Sequence, residues 1–361
     1  MNILMDISHP AHFHLIRNSY FALLKNGHKI FVTVKNVPSI IFLLKKYDIP
    51  YTLLESKKDS LIGKGITQIG YIFKLCKFVN TNKITLGFSS SFTMTQVSLF
   101  TKMDAVLLDD DDDEVEPLVV KYGHPFAKVV LSPECVKRKT KGLIPYNGYH
   151  ELAYLHPNRF TPDESVLAEL GLKKGDRYFV LRFNAFKAYH DSGIKGISIE
   201  NKRKLIQFLE TKGKVFITTE RNIDEEFLKY QLLLSAEKVH SLIFYATMLI
   251  GDSQTMTSEA AVLGTPAIRC NSFVGRISYL EEEEHKYELT YGFRPEEVDR
   301  MFLKIEELLL LKNLKEIWAI RRAKMLSDKI DVSAFYIWFV ENYPLSIEIM
   351  KGNPDFQRNF I

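Results

Sequence analysis

The chain has 361 residues with 48 Lys and Arg against 44 Asp and Glu, a formal net charge of +4. So small an excess, with no clustered Lys/Arg stripe interleaved with aromatics, excludes a nucleic-acid groove as the organising feature. Hydrophobic residues at 46% and charged residues at 25% exclude disorder and fibrous repeats, and the length predicts about two domains of roughly 150 residues each.

Cys76, Cys135 and Cys270 are far apart and odd in number, which fits reduced thiols rather than a disulfide framework. Asp6 and Pro10 interrupt the amino terminus too early for a signal peptide. No apolar run approaches the roughly 18 residues of a spanning helix, so a cytoplasmic location is expected.

In chain order, short β-rich apolar runs alternate with helical stretches: Ile3 to Ile7, Phe13 to Leu24, Lys29 to Val34, Ser39 to Lys46 and Tyr51 to Leu54. Strands at Ile84 to Phe88, Ala105 to Leu108 and Lys128 to Leu131 continue a βαβ rhythm that predicts a parallel sheet in a first domain over residues 1–150. Pro145 to Pro162 reads as a connection, after which Thr161 is expected to cap a helix with Pro162 in its first position. A second α/β domain is expected over 160–330. Its strands are predicted at Tyr178 to Arg182, Val215 to Thr219, Leu242 to Phe244, Met248 to Gly251 and Ala267 to Cys270. Helices are predicted at Glu200 to Lys212, Asp224 to Leu234, Thr255 to Leu263 and Pro295 to Leu311. Aromatic-rich helices over 331–361 are expected to pack back on the first domain.

The segment Ile250 to Ile268 carries the strongest chemistry. It reads as strand, polar turn, short helix ended by Gly264, and another strand. A helix N-terminus at the carboxyl edge of a parallel sheet favours an anion, which makes Ser253, Gln254 and Thr255 candidates to hold phosphate. Ser258 lies on the same helix, and Glu259, one turn further in, is placed to accept from both hydroxyls of a ribose.

Other loops at strand ends supply candidates. Ser8 to His14 offers His9 or His12 as general base, since imidazole titrates nearest working pH; one capping the helix while another packs on the sheet is the alternative. The loop after Tyr178 to Arg182 offers Arg182, Asn184 and Lys187 for a diphosphate and His190 with Asp191 as an oriented pair. Arg221 is a weaker phosphate candidate. Asp109 to Glu114 is a run of six acids that reads as solvated rather than metal-binding, with one acid left as an alternative base. No bound metal or cofactor is expected. Leu61 to Phe78 interleaves Ile66, Ile69, Ile72, Phe73, Leu75, Cys76 and Phe78 with Lys64, Lys74 and Lys77, which suits either a core-facing helix or peripheral contact with a membrane.

Strand, polar turn, T-x-x-E-A and L-G-x-P at Gly251 to Pro266 resemble the donor-site segment of GT-B glycosyltransferases, including the one that makes lipid II. They also resemble non-hydrolysing UDP-N-acetylglucosamine 2-epimerases. Through Asp6 to His12, Leu181 to Phe183, Ala188 to Asp191 and the block Gly251 to Arg276, the chain looks like a prokaryotic family of GT-B-like proteins associated with surface-polysaccharide genes. The resemblance implies an α/β GT-B-like fold, two Rossmann-like parallel-sheet domains facing across a cleft with a C-terminal helix crossing back. It implies that Glu259 grips the donor ribose and that backbone near Ile243 and Phe244 faces the base. The chain lacks the glycine-rich N-terminal loop of the lipid II enzyme and the G-T-R-P-E segment of the epimerases. The expected activity is sugar transfer from a nucleotide-diphosphate sugar, UDP-linked, to a saccharide or lipid-linked acceptor at the inner face of the membrane. The alternatives are an epimerase and a non-catalytic nucleotide-sugar binding or scaffold protein.

Overall fold

The computed structural model describes residues 1–55, 61–183, 196–219 and 223–361, with backbone only for 55 and 61–67. The chain divides into two compact units, residues 1–159 with 329–361, and residues 160–328.

The first unit holds β1 (Asn2–Ile7), α1 (Pro10–Lys25), β2 (Lys29–Lys35), α2 (Pro38–Lys46), β3 (Thr52–Glu55), α3 (Leu61–Thr81), β4 (Leu86–Ser89) and α4 (Phe92–Ser98). It continues through β5 (Asp104–Leu108), α5 (Pro117–Tyr122), β6 (Val129–Pro133), β7 (Leu143–Tyr146) and α6 (Leu152–Leu155). The strands form one seven-stranded sheet in the order β3-β2-β1-β4-β5-β6-β7, parallel throughout. Strands covered on both faces read as continuous apolar runs, and β4, β5 and β6 are buried almost end to end.

The second unit holds α7 (Ser165–Glu169), β8 (Tyr178–Arg182), α8 (Ile199–Glu210), β9 (Lys214–Thr218), α9 (Val239–Tyr245), β10 (Met248–Gly251), α10 (Gln254–Leu263) and β11 (Ala267–Cys270). After these come α11 (Ser278–His285), β12 (Thr290–Phe293), α12 (Val298–Leu310) and α13 (Leu314–Asp328). Its five-stranded parallel sheet has the order β12-β11-β10-β8-β9. Gly264 ends α10 in the left-handed conformation at φ 78°, which glycine adopts without a Cβ penalty.

The chain then returns to the first unit as α14 (Val332–Glu341) and α15 (Leu345–Gly352). Phe335 and Tyr336 of α14 are fully buried there. The Tyr336 hydroxyl donates to that of Tyr146 at 2.9 Å, and the Tyr336 ring meets Phe88 edge-on at 5.4 Å.

Several expectations are corrected. Leu242 to Phe244 belongs to the helix α9, not a strand, because a short apolar run carries no period that separates a strand from a buried helix. Thr161 does not cap and Pro162 does not open a helix: α7 begins at Ser165 behind Glu164. Asp224 to Leu234 gives only a 3-10 turn at Glu225–Tyr230, after which Gln231 bridges Ile217. Strand β7 runs into the start of the stretch read as a connection, and its Pro145 is tolerated because β7 is an edge strand.

In each sheet the strand order reverses once, at β1 and β4 in the first unit and at β8 and β10 in the second. The crevice outside the carboxyl ends of such strands is where open α/β sheets bind ligands.

Candidate functional site

In the second unit the switch point is formed by Arg182 and by Gly251 to Gln254. Ser253 caps α10, its Oγ accepting from Met256 N at 3.4 Å, while Thr257 Oγ1 donates to Ser253 O at 2.7 Å. Gln254 and Thr255 occupy the first turn, half-buried, where N–H groups have no partner within the helix. Arg182 is buried, with Nη1 3.4 Å from Thr218 Oγ1. Asn271 Nδ2 donates to Asp252 O at 3.0 Å and so pins the loop that delivers Ser253.

Glu259 is buried one turn inside α10, and its Oε1 lies 3.0 Å from His240 Nε2 on α9. Phe160 meets the His240 ring edge-on at 6.2 Å. His240 carries no local sequence signal, since it sits in the apolar run of α9. Ser258 is corrected: its hydroxyl donates to Glu283 Oε1 at 2.5 Å in a fully buried position and ties α10 to α11 instead of facing a ligand. The backbone near Ile243 and Phe244 is the part expected to face the base. It ends a helix, and Thr265 Oγ1 donates to Ile243 O at 2.8 Å, with Phe244 O at 3.4 Å. Asn184, Lys187, His190, Asp191 and Arg221 lie outside the described residues.

In the first unit, Asp6 at the end of β1 is fully buried and accepts three hydroxyls: Thr33 at 2.7 Å, Tyr71 at 2.6 Å and Ser91 at 2.5 Å. It thereby ties the carboxyl ends of β1 and β2 to α3 and to the loop after β4. His9 is the N-cap of α1, its Nδ1 accepting from Ala11 N at 3.2 Å. His12 Nδ1 lies 3.4 Å from Ser8 Oγ. Burial of the ring, with repulsion from His9, His150 and Lys35 outweighing attraction to Asp110, pushes the His12 pKa down to about 3.

The acidic run after β5 is structured, contrary to the expectation of a solvated face. Asp109 is buried, with His124 Nε2 2.6 Å from its Oδ2 and Arg138 Nη1 donating to the same oxygen. Burial would raise its pKa, but the His124 hydrogen bond and the Arg138 charge hold it below the usual carboxylate value. Arg138 also donates to Asp111 O. The carboxylate oxygens of Asp109, Asp110 and Asp111 gather within 4.8 Å, and the buried Arg138 guanidinium lodged against them supplies compensating charge. His150 Nδ1 lies 3.0 Å from Asp110 Oδ1, while its Nε2 is buried with no hydrogen-bond partner among the described residues. Burial and then the charges of Asp110, Asp109 and Glu116 push the Asp111 pKa up to about 8. Sequence reasoning missed His124, Arg138 and His150, which stand in segments without periodicity.

This arrangement has a pH signature. Asp111 ionises near 3.8 when unfolded and near 8 when folded, so the folded state keeps an extra proton between those values. Stability therefore falls as pH rises through that window, the loss being complete above it. His12 acts with the opposite sign, costing stability as pH falls from 6.5 towards about 3. Asp111→Asn is expected to raise Tm by about 3–6 °C near pH 8.5 and to change it little near pH 4. A melting profile in which the variant tracks wild type at both values would refute the assignment.

The family profile described as "Protein of unknown function (DUF354)" matches residues 1–291, four-fifths of the sequence and both switch points. The chain belongs to the DUF354 family. No curated protein matches it. Among solved structures, this DUF354 chain is similar to the S. aureus MnaA–UDP co-structure, at 12% identity over 96% of this chain and 97% of that one, TM-score 0.70. It is also similar to the UDP-GlcNAc 2-epimerase from Methanocaldococcus jannaschii, at 12% identity over 90% and 99%, TM-score 0.62. A third similar structure is a Streptomyces sp. SF2575 glycosyltransferase complexed with thymidine diphosphate, at 10% identity over 95% and 99%, TM-score 0.60. These likenesses establish a GT-B-like fold of two parallel-sheet α/β units for this DUF354 member. Among the described residues no helix is long and apolar enough to cross a membrane.

Proposed function

We propose that the chain is a glycosyltransferase that takes a sugar from a nucleoside-diphosphate sugar, UDP-linked, and passes it to a saccharide or lipid-linked acceptor in surface polysaccharide or glycolipid synthesis. The observation that carries the reading is Glu259, held by His240 one turn inside a helix whose N-terminus stands at the switch point of the second sheet. In this reading the carboxylate accepts from the ribose hydroxyls. The first-turn N–H groups of α10 and the Arg182 guanidinium offset charge on the departing diphosphate.

The proton acceptor is reassigned. His9 is committed to capping α1, and an imidazole with a pKa near 3 is a weak base, so His12 suits contact with substrate better than proton removal. His150, whose Nδ1 is held by Asp110, is the remaining imidazole of this cluster and takes the acceptor proton once its buried Nε2 is uncovered. The acceptor oxygen would then bond to the anomeric carbon as the carbon–oxygen bond to the diphosphate breaks and the diphosphate leaves with the electron pair.

A second reading, epimerisation on the same fold, is favoured by the gathering of Asp109, Asp110 and Asp111 within 4.8 Å. Burial and that crowding push the Asp111 pKa up to about 8, so it could return a proton to a sugar carbon after a base removes one. Incubation with each donor alone in heavy water separates the two. Deuterium in recovered sugar nucleotide without acceptor means epimerisation, and turnover only when a saccharide or lipid-linked acceptor is added means transfer. Tight nucleotide binding with neither outcome would overturn both in favour of a non-catalytic binding protein.

A further inference from the structure

One face of the first sheet combines lysines with exposed apolar side chains. From Ser60 to Met103 there is no Asp or Glu, while Lys64, Lys74, Lys77, Lys83 and Lys102 supply five positive charges. This segment contains α3 and α4. The path β3 to β4 to β5 crosses the sheet in one direction, whereas β1 to β2 to β3 crosses in the other. Right-handed crossovers therefore put α3 and α4 together on one face and α1 and α2 on the opposite one, where α14 packs against α1. Gln68 Nε2 donates to Thr93 Oγ1 at 2.9 Å and joins the two helices directly.

α3 buries Tyr71, Leu75 and Val79 in the core and turns Ile69 and Phe73 outward, one helical turn apart, at 67% and 79% exposure. Just beyond α4, Leu99 and Phe100 are 54% and 69% exposed. Four large apolar side chains thus stand in water on a segment whose own charges are all lysines, among them the exposed Lys77, Lys83 and Lys102. Exposed large apolar side chains grouped on one face in this way mark an interaction site.

We infer that the α3–α4 face of the first unit docks on an anionic phospholipid surface. Ile69, Phe73, Leu99 and Phe100 enter the boundary between headgroups and acyl chains while the lysines meet lipid phosphates. Charge selects this occupant over a second copy of the chain, because a two-fold contact would set the same lysines against one another. The inference stands on exposure, charge and topology and is independent of the sugar chemistry.

The test is flotation of the full chain with vesicles of phosphatidylcholine alone and with about one third phosphatidylglycerol. Binding is expected only with the anionic vesicles, about 10-fold weaker for Phe73→Ser/Phe100→Ser and for Lys77→Glu/Lys102→Glu, and suppressed by high salt. Since all four positions are exposed, both variants are expected to melt with wild type, within about 2 °C. Equal binding to neutral vesicles, no binding to either, or variants that bind like wild type would overturn the inference. A concentration-dependent dimer in sedimentation velocity that Phe73→Ser/Phe100→Ser dissolves would overturn it in favour of self-association.

Discussion

Glu259→Ala is expected to weaken nucleotide binding by about 100-fold, because hydrogen bonds to a charged group are worth about 1.5–3 kcal/mol and one carboxylate is proposed to accept two. The experiment is a thermal-shift and calorimetric screen of UDP, GDP, CMP and dTDP with their sugar conjugates, on wild type and variant. A nucleotide that binds the folded protein raises Tm by mass action, and the variant should lose that rise. Glu259→Gln keeps the shape and one acceptor, so a loss of about 10-fold is expected. The pairing with His240 at 3.0 Å sharpens the test. If Glu259 merely supports the packing of α9 on α10, His240→Ala and Glu259→Ala should lower the unliganded Tm alike and leave affinity unchanged. Wild-type affinity in Glu259→Ala would remove the residue from the donor site.

Gly251→Ala is expected to be the most destabilising single change in the second unit. Gly251 ends β10 and pairs with Arg182 of β8 in the parallel register. A Cβ there would stand 2.0 Å from Arg182 O, a backbone atom of the neighbouring strand that also accepts Asp252 N at 3.0 Å. Neither strand can yield without opening the ladder at the switch point. A cost of more than about 4 kcal/mol follows, seen as a fall of about 8–16 °C in the melting transition of that unit. Because the same contact delivers Ser253, the variant should lose nucleotide binding even below its Tm. Melting within a degree or two of wild type would show that the contact is not binding on the fold.

What the sequence revealed about this fold follows burial. Central strands such as β5 and β10, covered on both faces, read as continuous apolar runs and stood out. The short edge strands β7 and β12 did not, since Pro145 and Gly292 interrupt them. The helix α10 was legible because its cap, turn and glycine stop are local features. Its partner was not: His240 lies 19 residues from Glu259. Likewise His124 and Arg138 reach Asp109 across 15 and 29 residues. Only the packed sheet brings such pairs together. The acidic run reads as solvated for the same reason, its compensating guanidinium, Arg138, standing 29 residues away from Asp109. Pro145 to Pro162 shows the converse, where low periodicity hid the end of an edge strand and His150 alike.

The return of α14 and α15 to the first unit sets an order of assembly. Residues 160–328 form an uninterrupted stretch, so on an emerging chain every contact of the second unit becomes possible before the first unit can close. Domains usually mature from the amino end during synthesis, but here the earlier-made sheet must wait for Phe335 and Tyr336 to cover Tyr146 and Phe88. Until then those aromatic rings are exposed to chaperones and to neighbouring nascent chains. Truncation near residue 330 should therefore spare the second unit and leave the first one prone to aggregation, so that damage at one end of the polypeptide is felt at the other.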